Sequence, residues 1–246
     1  MSDLMPLQML AIGLIFVWSG LVRSGIGFGG AAVAMPLLLL IVDNPLIVMP
    51  VIAVQLLLFA GITTATRRAS VDWAFIGRSF IVMLPFKIIG LIGLLNLPGS
   101  ILSVVVFVVT GAYGASYLLG VSFRSNSVWL DRALLALGGY ASGTSLIGAP
   151  LLVAVYVRHV ASERLRDTLF VLWILLASMK LAAFLATGVD MQWQAQLWLL
   201  PCGAVGHVLG LKVHRRLLTA QGGFFMRVVG AALLGVSLAG LARVIF

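Results

Sequence analysis

The amino-acid sequence predicts an all-α polytopic membrane protein. Of its 246 residues, 62% are hydrophobic and only 9% are charged, and the mean hydropathy is +1.17. A soluble domain carries about 25% charged residues, so a surface of this composition could not be kept in contact with water. The composition therefore excludes a secreted or cytosolic globular protein and a water-facing enzyme with a small apolar core.

Ten hydrophobic segments, separated by turns rich in proline, glycine and asparagine, support this fold class. A membrane-spanning helix needs roughly 20 apolar residues, so the chain has room for about ten segments and little else. The segments run over residues 4–22, 28–42, 45–66, 73–95, 98–120, 133–144, 147–157, 168–187, 193–211 and 224–245.

An internal repeat becomes visible when the chain is shifted by 118 positions. The offset stays constant over more than 40 residues, which a chance match of apolar letters does not explain. The matching pairs are Ser24-Gly25 with Ser142-Gly143, Gly30-Ala31 with Gly148-Ala149, and Val71-Asp72 with Val189-Asp190. We therefore predict two repeats in one membrane domain, residues 1–123 and 124–246.

The basic residues predict the orientation of the chain. Cytoplasmic loops carry an excess of Lys and Arg. The surplus of basic residues in this chain lies in short loops, so it does not indicate a nucleic-acid partner. Four basic groups are predicted to be cytoplasmic: Arg67, Arg68 and Arg78; Arg124 and Arg132; Arg158, Arg164 and Arg166; Lys212, Arg215, Arg216 and Arg227. The loops near Asp43, Asn96 and Asp190 lack basic residues and are predicted to be external, as are both termini.

This orientation makes the two repeats inverted. Residues 132 and 158 are both predicted to be cytoplasmic, although two apolar pieces lie between them. That segment then forms a hairpin of two half-helices, broken at residues 141–145, and its counterpart, broken at residues 23–30, enters from outside. Each repeat would hold one broken-helix hairpin and three transmembrane helices. An arrangement of eight spans with parallel halves stays open, because residues 4–22 could cross alone.

Two interrupted hairpins at equivalent positions are typical of transporters, which hold substrates where broken helices meet. A half-helix N-terminus offers free N–H groups and a partial positive charge, so it attracts anions. Such termini are expected near Gly29-Gly30 and Ile147-Gly148. The hydroxyl donors expected beside them are Ser24, Ser142, Thr144 and Ser145. The alternative is that these glycines only permit close helix packing.

Three cations, Arg23, Lys87 and Lys180, lie within apolar segments without a carboxylate at similar depth. Charges at this depth are functional candidates, and an anion would balance them. The alternative for the lysines is that they extend to the membrane surface. Gln55 and Trp173 occupy equivalent repeat positions and are further candidates for the pocket.

Other classes of function have weaker support. A membrane serine protease would need a nucleophile paired with a buried histidine, for which Ser142 and His207 are a conceivable pair. His207 could instead relay protons or serve only in packing. An intramembrane enzyme and a non-transporting subunit of a membrane complex are therefore the alternatives to a transporter.

The motifs resemble those of the TauE/SafE-like permeases, also called the toluene-sulfonate uptake permease family. The first signature is Gly25-Ile26-Gly27-Phe28-Gly29-Gly30 followed by Met35-Pro36-Leu37-Leu38, the second is the stretch over residues 142–152, and the third is Ala69-Ser70-Val71-Asp72-Trp73. The resemblance covers nearly the whole chain. It implies transport of sulfur oxyanions and organosulfonates, such as sulfite or sulfoacetate.

The expected function is thus a secondary transporter or facilitator, not an enzyme, for a small sulfur-containing anion such as sulfite or a C2 organosulfonate. The anion would bind near the midplane between the two hairpin tips, in a bacterial cytoplasmic membrane. No metal or cofactor is expected, and the expected partners are the anion and membrane lipid. The coupling ion stays open, with a proton as one option, and so does the formation of a homo-oligomer. The candidate binding residues are Arg23, Ser24, Gly25, Gly27, Phe28, Gly29, Gly30, Gln55, Lys87, Ser142, Gly143, Thr144, Ser145, Gly148, Trp173 and Lys180.

Overall fold

The structure, a computed structural model, describes residues 4–65, 67–120, 127–219 and 223–245. These residues form ten α-helices and one short 3₁₀ turn, Arg68–Ser70. The helices are α1 Pro6–Ile26, α2 Gly30–Leu39, α3 Pro45–Ala65, α4 Trp73–Asn96, α5 Gly99–Leu118, α6 Val128–Ser145, α7 Ala149–His159, α8 Ser162–Ala186, α9 Trp193–Thr219 and α10 Gly223–Ile245. Each predicted hydrophobic segment corresponds to one helix.

The lengths and composition of the helices confirm the predicted fold class. Within the described residues, six helices are long and apolar enough to cross a membrane, namely α1, α3, α4, α5, α8 and the Trp193–Val213 part of α9. At a rise of 1.5 Å per residue, α2 and α7 reach only about half as far as these. The chain is a multi-pass helical membrane protein.

The break of the first hairpin, residues 27–29, lies inside the predicted range 23–30, whereas that of the second hairpin, residues 146–148, follows the predicted range 141–145. The segment 141–145, predicted as a break, is helical to Ser145, and α1 likewise continues through Arg23 and Ser24 to Ile26. The prediction for residues 141–145 is wrong, because small polar residues do not break a helix when their hydroxyls find acceptors within it. Inside the helix, the hydroxyl groups of Thr144 and Ser145 donate to the carbonyls of Tyr140 and Ala141, which keeps them compatible with helix.

The arms of each hairpin are therefore unequal, and the expectation of two half-helices holds only for the second arms. Helix α1 has 21 residues and α6 has 18, whereas α2 has 10 and α7 has 11. The second hairpin closes on itself: Asp131 near the start of α6 accepts bonds from Arg158 and pairs with His159 at the end of α7, at 3.1 and 2.8 Å. Both ends of this hairpin thus lie at the same end of the bundle.

Packing interlocks the two halves of the sequence. The most extensive helix contacts pair α1 with α9, α4 with α6, α5 with α10, and α3 with α8. Every one of these pairs joins a helix of residues 1–123 to a helix of residues 124–246. Under the predicted repeat, the pairs α1–α9 and α4–α6 are equivalent to each other. The boundary at 123/124 itself, Arg124 and the turn at 221–222 lie outside the described residues.

Glycines bring the interlocked helices to backbone contact. A Cβ atom added at Gly206 of α9 would lie 2.0 Å from the carbonyl oxygen of Val17 in α1, and one added at Gly90 of α4 would lie 2.5 Å from that of Tyr140 in α6. Small residues allow this close approach between membrane helices. The alternative interpretation, that the glycines of the breaks permit close packing, also describes Gly148 and Gly30: added Cβ atoms there would lie 2.2 Å from the carbonyl oxygen of Gly138 and 2.7 Å from that of Ser19.

We predict that Gly206→Ala lowers the thermal stability of the detergent-purified protein, because the added methyl group pushes α1 away from α9. Overpacking of this kind costs about 1–3 kcal/mol. The measurement is the temperature at which half the protein leaves the monodisperse peak in size-exclusion chromatography. The control is Gly235→Ala, whose added Cβ meets no atom within 4 Å. Equal transition temperatures for the two variants would contradict the proposed packing.

Candidate functional site

The two hairpin tips meet at a small cavity of about 30 Å³. The first tip contributes Arg23 and residues 28–32, and the second contributes Ser142, Leu146, Gly148 and Ala149. Side chains of α3 and α8 complete the wall. In full, the described residues that line it are Arg23, Phe28, Gly29, Gly30, Ala31, Ala32, Leu56, Ser142, Leu146, Gly148, Ala149, Trp173, Leu176 and Ala177. Seven of them were predicted from the sequence.

The cavity lies halfway along the helix bundle. Leu56 is near the centre of α3, which spans Pro45–Ala65, and Trp173 and Ala177 are near the centre of α8, which spans Ser162–Ala186. The tips therefore reach the cavity at mid-depth between the ends of these helices.

At the first tip, a tight turn aims the N-terminus of α2 at the cavity. Gly27 and Gly29 adopt left-handed backbone conformations, with φ angles of 94° and 86°, which glycine adopts without the steric cost that a side chain would add. Helix α2 then begins at Gly30. Its first turn, Gly30, Ala31 and Ala32, has N–H groups without acceptors inside the helix and itself carries no side chain larger than a methyl group.

At the second tip, Leu146 adopts the left-handed conformation, with a φ angle of 63°, and Gly148 precedes the first turn of α7. This turn offers fewer donors than that of α2, because Pro150 has no N–H group. Both helix N-termini nevertheless lie in the cavity wall, so both dipoles place partial positive charge there.

Arg23 supplies a full positive charge to the same cavity. Its side chain is only 5% exposed, and its Cζ atom lies 5.0 Å from the ring centroid of Phe59. The Nε and Nη2 atoms are buried and find no hydrogen-bond partner among the described residues. Buried polar atoms nearly always have partners, so these two atoms are exceptions.

Lys87 and Lys180, predicted to line the anion pocket, donate to backbone carbonyls instead. Lys180 Nζ lies 2.6 Å from the carbonyl oxygen of Gly143, and Lys87 Nζ lies 2.9 Å from that of Ser142. These carbonyls belong to the last turn of α6, which lacks intrahelical donors. Both lysines are fully buried, so neither extends to the membrane surface, and neither lines the cavity. They satisfy and neutralise the C-terminal end of α6.

Lys87 also acts on the cavity through Ser142. Lys87 Nζ also donates to Ser142 Oγ at 3.0 Å. The hydroxyl hydrogen of Ser142 is therefore left to donate to a group in the cavity, whose wall Ser142 forms.

The C-terminal end of α1 receives equivalent support from α8. Arg166 Nη2 donates to the carbonyl oxygen of Ser24 at 2.7 Å, and Trp173 Nε1 donates to that of Gly27 at 3.1 Å. Sequence reasoning missed Arg166, because its membership of a basic cluster suggested a cytoplasmic loop. Its spacing of seven residues from Trp173, two turns along one helix face, was the available signal.

The remaining predicted residues lie behind the cavity. His207 Nδ1 lies 2.6 Å from Ser24 Oγ, so the pair of His207 with Ser142, considered for a protease, is wrong. Gln55 Nε2 donates to the carbonyl oxygen of Leu199 in α9 at 2.9 Å and serves as a link between helices. The residues predicted for the site that do not line the cavity are Ser24, Gly25, Gly27, Gln55, Lys87, Gly143, Thr144, Ser145 and Lys180.

A second, apolar cavity of about 180 Å³ adjoins the first. Phe28, Gly29 and Ala32 line both cavities, so the first hairpin tip is the partition between them. The other walls come from α5 and α10, including Thr110 and Leu233, and are almost entirely hydrocarbon. The small cavity that holds Arg23 and Ser142 and the apolar cavity thus meet at the N-terminus of α2.

Comparison with known proteins decides the family. A sequence model of the family described as sulfite exporter TauE/SafE matches residues 12–240, which is nearly the whole chain. The chain belongs to the TauE/SafE family. This confirms the resemblance seen in the signature motifs, and it makes the protein a membrane transporter of the sulfur-anion exporter type, with a small anion as its substrate. No curated protein and no solved structure matches the chain.

We predict that Trp173→Phe destabilises the first hairpin tip. The variant keeps an aromatic ring in the cavity wall but removes the donor to the carbonyl oxygen of Gly27, and a buried unsatisfied carbonyl costs about 1–3 kcal/mol. Thermal unfolding in detergent should show a lower transition temperature. Trp193→Phe, whose side chain is exposed, is the control. A Trp173→Phe protein as stable as the control would show that this bond does not hold the tip.

Proposed function

We propose that this TauE/SafE protein is a secondary transporter or facilitator that binds a small sulfur-containing anion, such as sulfite or a C2 organosulfonate, between its two hairpin tips. The observation that carries the proposal is the buried Arg23 guanidinium, whose Nε and Nη2 atoms have no hydrogen-bond partner among the described residues, in a cavity lined by the N-termini of α2 and α7. Guanidinium groups and helix N-termini are both favourable partners for oxyanions.

The local charge supports an anion over a cation. The described residues that line the cavity include one cation and no carboxylate. The buried carboxylates Asp131 and Asp167 belong to other clusters, in which Asp131 pairs with Arg158 and His159, and Asp167 lies 3.8 Å from Arg67. An anion at Arg23 would therefore balance a charge that the neighbouring side chains leave uncompensated.

The donors are suited to a small oxyanion. They comprise the Arg23 guanidinium, the N–H groups of Gly30 to Ala32, and the hydroxyl of Ser142, which Lys87 orients. A single water needs about 10–15 Å³, so a cavity of about 30 Å³ suits a head group of a few heavy atoms. The adjoining apolar cavity offers room for the hydrocarbon part of an organosulfonate.

The packing indicates which parts move during transport. Because α1 is in backbone contact with α9, and α6 with α4, each hairpin would move together with a helix of the other sequence half. During alternating access, the pair α1–α9 would then move relative to the pair α4–α6, with the anion site between them. The two inverted repeats, the external termini and the location in a bacterial cytoplasmic membrane are parts of this proposal.

We predict that Arg23→Gln reduces sulfite flux in proteoliposomes by at least about ten-fold, since losing one charge-assisted hydrogen bond costs about 1.5–3 kcal/mol. The measurement compares initial rates for sulfite, methanesulfonate, sulfate and a neutral amino acid. Arg78→Gln, at an exposed position outside the cavity, is the matched control. Undiminished sulfite flux through the Arg23→Gln protein, or a preference for the neutral substrate, would overturn the proposed function.

A further inference from the structure

His207 is a buried titratable group that the anion site itself does not use. Its residue is 6% exposed, its Nδ1 atom lies 2.6 Å from Ser24 Oγ, and its ring stacks on Phe59 at a centroid distance of 5.0 Å. The same Phe59 ring contacts the Arg23 guanidinium. One aromatic side chain and one peptide bond, between residues 23 and 24, therefore connect the imidazole to the cation of the anion site.

The charges around His207 are of one sign. Its electrostatic neighbours among the described residues are Arg23 from α1 and Arg166 from α8, while α3 presents the uncharged Phe59. Arg166 is held against the Ser24 carbonyl, next to the hydroxyl that bonds to the imidazole. A proton on His207 would thus be repelled by two fixed cations as long as the anion site is empty.

We propose that His207 is a proton-binding site that is loaded together with the transported anion, so that the protein moves one proton with each anion. The inference rests on the proposed function and adds the coupling ion to it. An anion at Arg23 offsets the charge that opposes protonation of His207, and a proton on His207 attracts the anion in return. This mutual preference is reciprocal by thermodynamic linkage, and imidazole is the side chain that titrates at physiological pH.

The hydrogen bond to Ser24 suits both states of the imidazole. When His207 is neutral with a bare Nδ1, the Ser24 hydroxyl donates to it. When His207 is protonated, both ring nitrogens carry hydrogen, and Nδ1–H donates to Ser24 Oγ instead. The bond reverses without moving either heavy atom, and the hydroxyl hydrogen of Ser24 is freed. Proton uptake therefore breaks no link between α1 and α9.

The test uses proteoliposomes loaded with the dye pyranine, with methanesulfonate as the anion, because it stays ionised across the whole working range of pH. For the wild-type protein we expect internal acidification with about one proton per anion, uptake that is insensitive to a potassium–valinomycin potential, and a rate about five-fold or more higher at external pH 5.5 than at pH 8. Sulfite uptake at pH 8, measured in parallel, reports the proposed function by itself.

His207→Gln keeps an amide that can bond to Ser24 but cannot bind the proton. We expect its methanesulfonate uptake to become sensitive to the membrane potential and to vary less than about two-fold between the two pH values. His159→Gln, which replaces the histidine beside Asp131, should behave as the wild type. Wild-type anion uptake without acidification, or acidification that persists in His207→Gln, overturns the inference. Absence of all anion uptake by the wild type overturns the proposed function instead.

Discussion

An interrupted helix in an apolar environment leaves unsatisfied carbonyls at one side of the break and unsatisfied N–H groups at the other, and the centre of this protein is organised around both. The carbonyls have protein partners: Arg166 and Trp173 at the end of α1, and Lys87 and Lys180 at the end of α6. The N–H groups at the starts of α2 and α7 line a cavity instead. With the negative ends already neutralised by side chains, the positive ends and Arg23 are left to attract an anion.

Much of this arrangement could be predicted from the sequence, because hydropathy and glycine placement report directly on burial and turns. The ten segments, the starts of α2 and α7, and Arg23 as part of the site all follow from such patterns. The ends of α1 and α6 did not, since glycine is tolerated within a helix, and Thr144 and Ser145 stay helical with hydroxyls that donate to carbonyls one turn back. The starts of α6 and α8 were also placed too late, because their first turns carry charged residues that hydropathy excludes.

The roles of the buried cations could be assigned only from three-dimensional contacts. Three intramembrane cations without carboxylates suggest an anion site, yet only Arg23 faces the cavity, and the two lysines bind backbone carbonyls that no sequence pattern reveals.

The interlocking of the two sequence halves is likewise visible only in the three-dimensional contacts. The repeat suggests two bodies, one for each half, whereas close glycine contacts join each hairpin to a helix of the other half.

The central claim is that the anion binds between the tips, at Arg23 and the N-terminus of α2. The most direct test is an experimental structure with selenite, a heavier analogue of sulfite, located by its anomalous scattering. The claim predicts a selenium peak whose oxygens lie within hydrogen-bonding distance, about 2.7–3.2 Å, of the Arg23 guanidinium and the N–H groups of Gly30 to Ala32. A selenium site elsewhere in a transport-competent protein, with this cavity holding none, would contradict it.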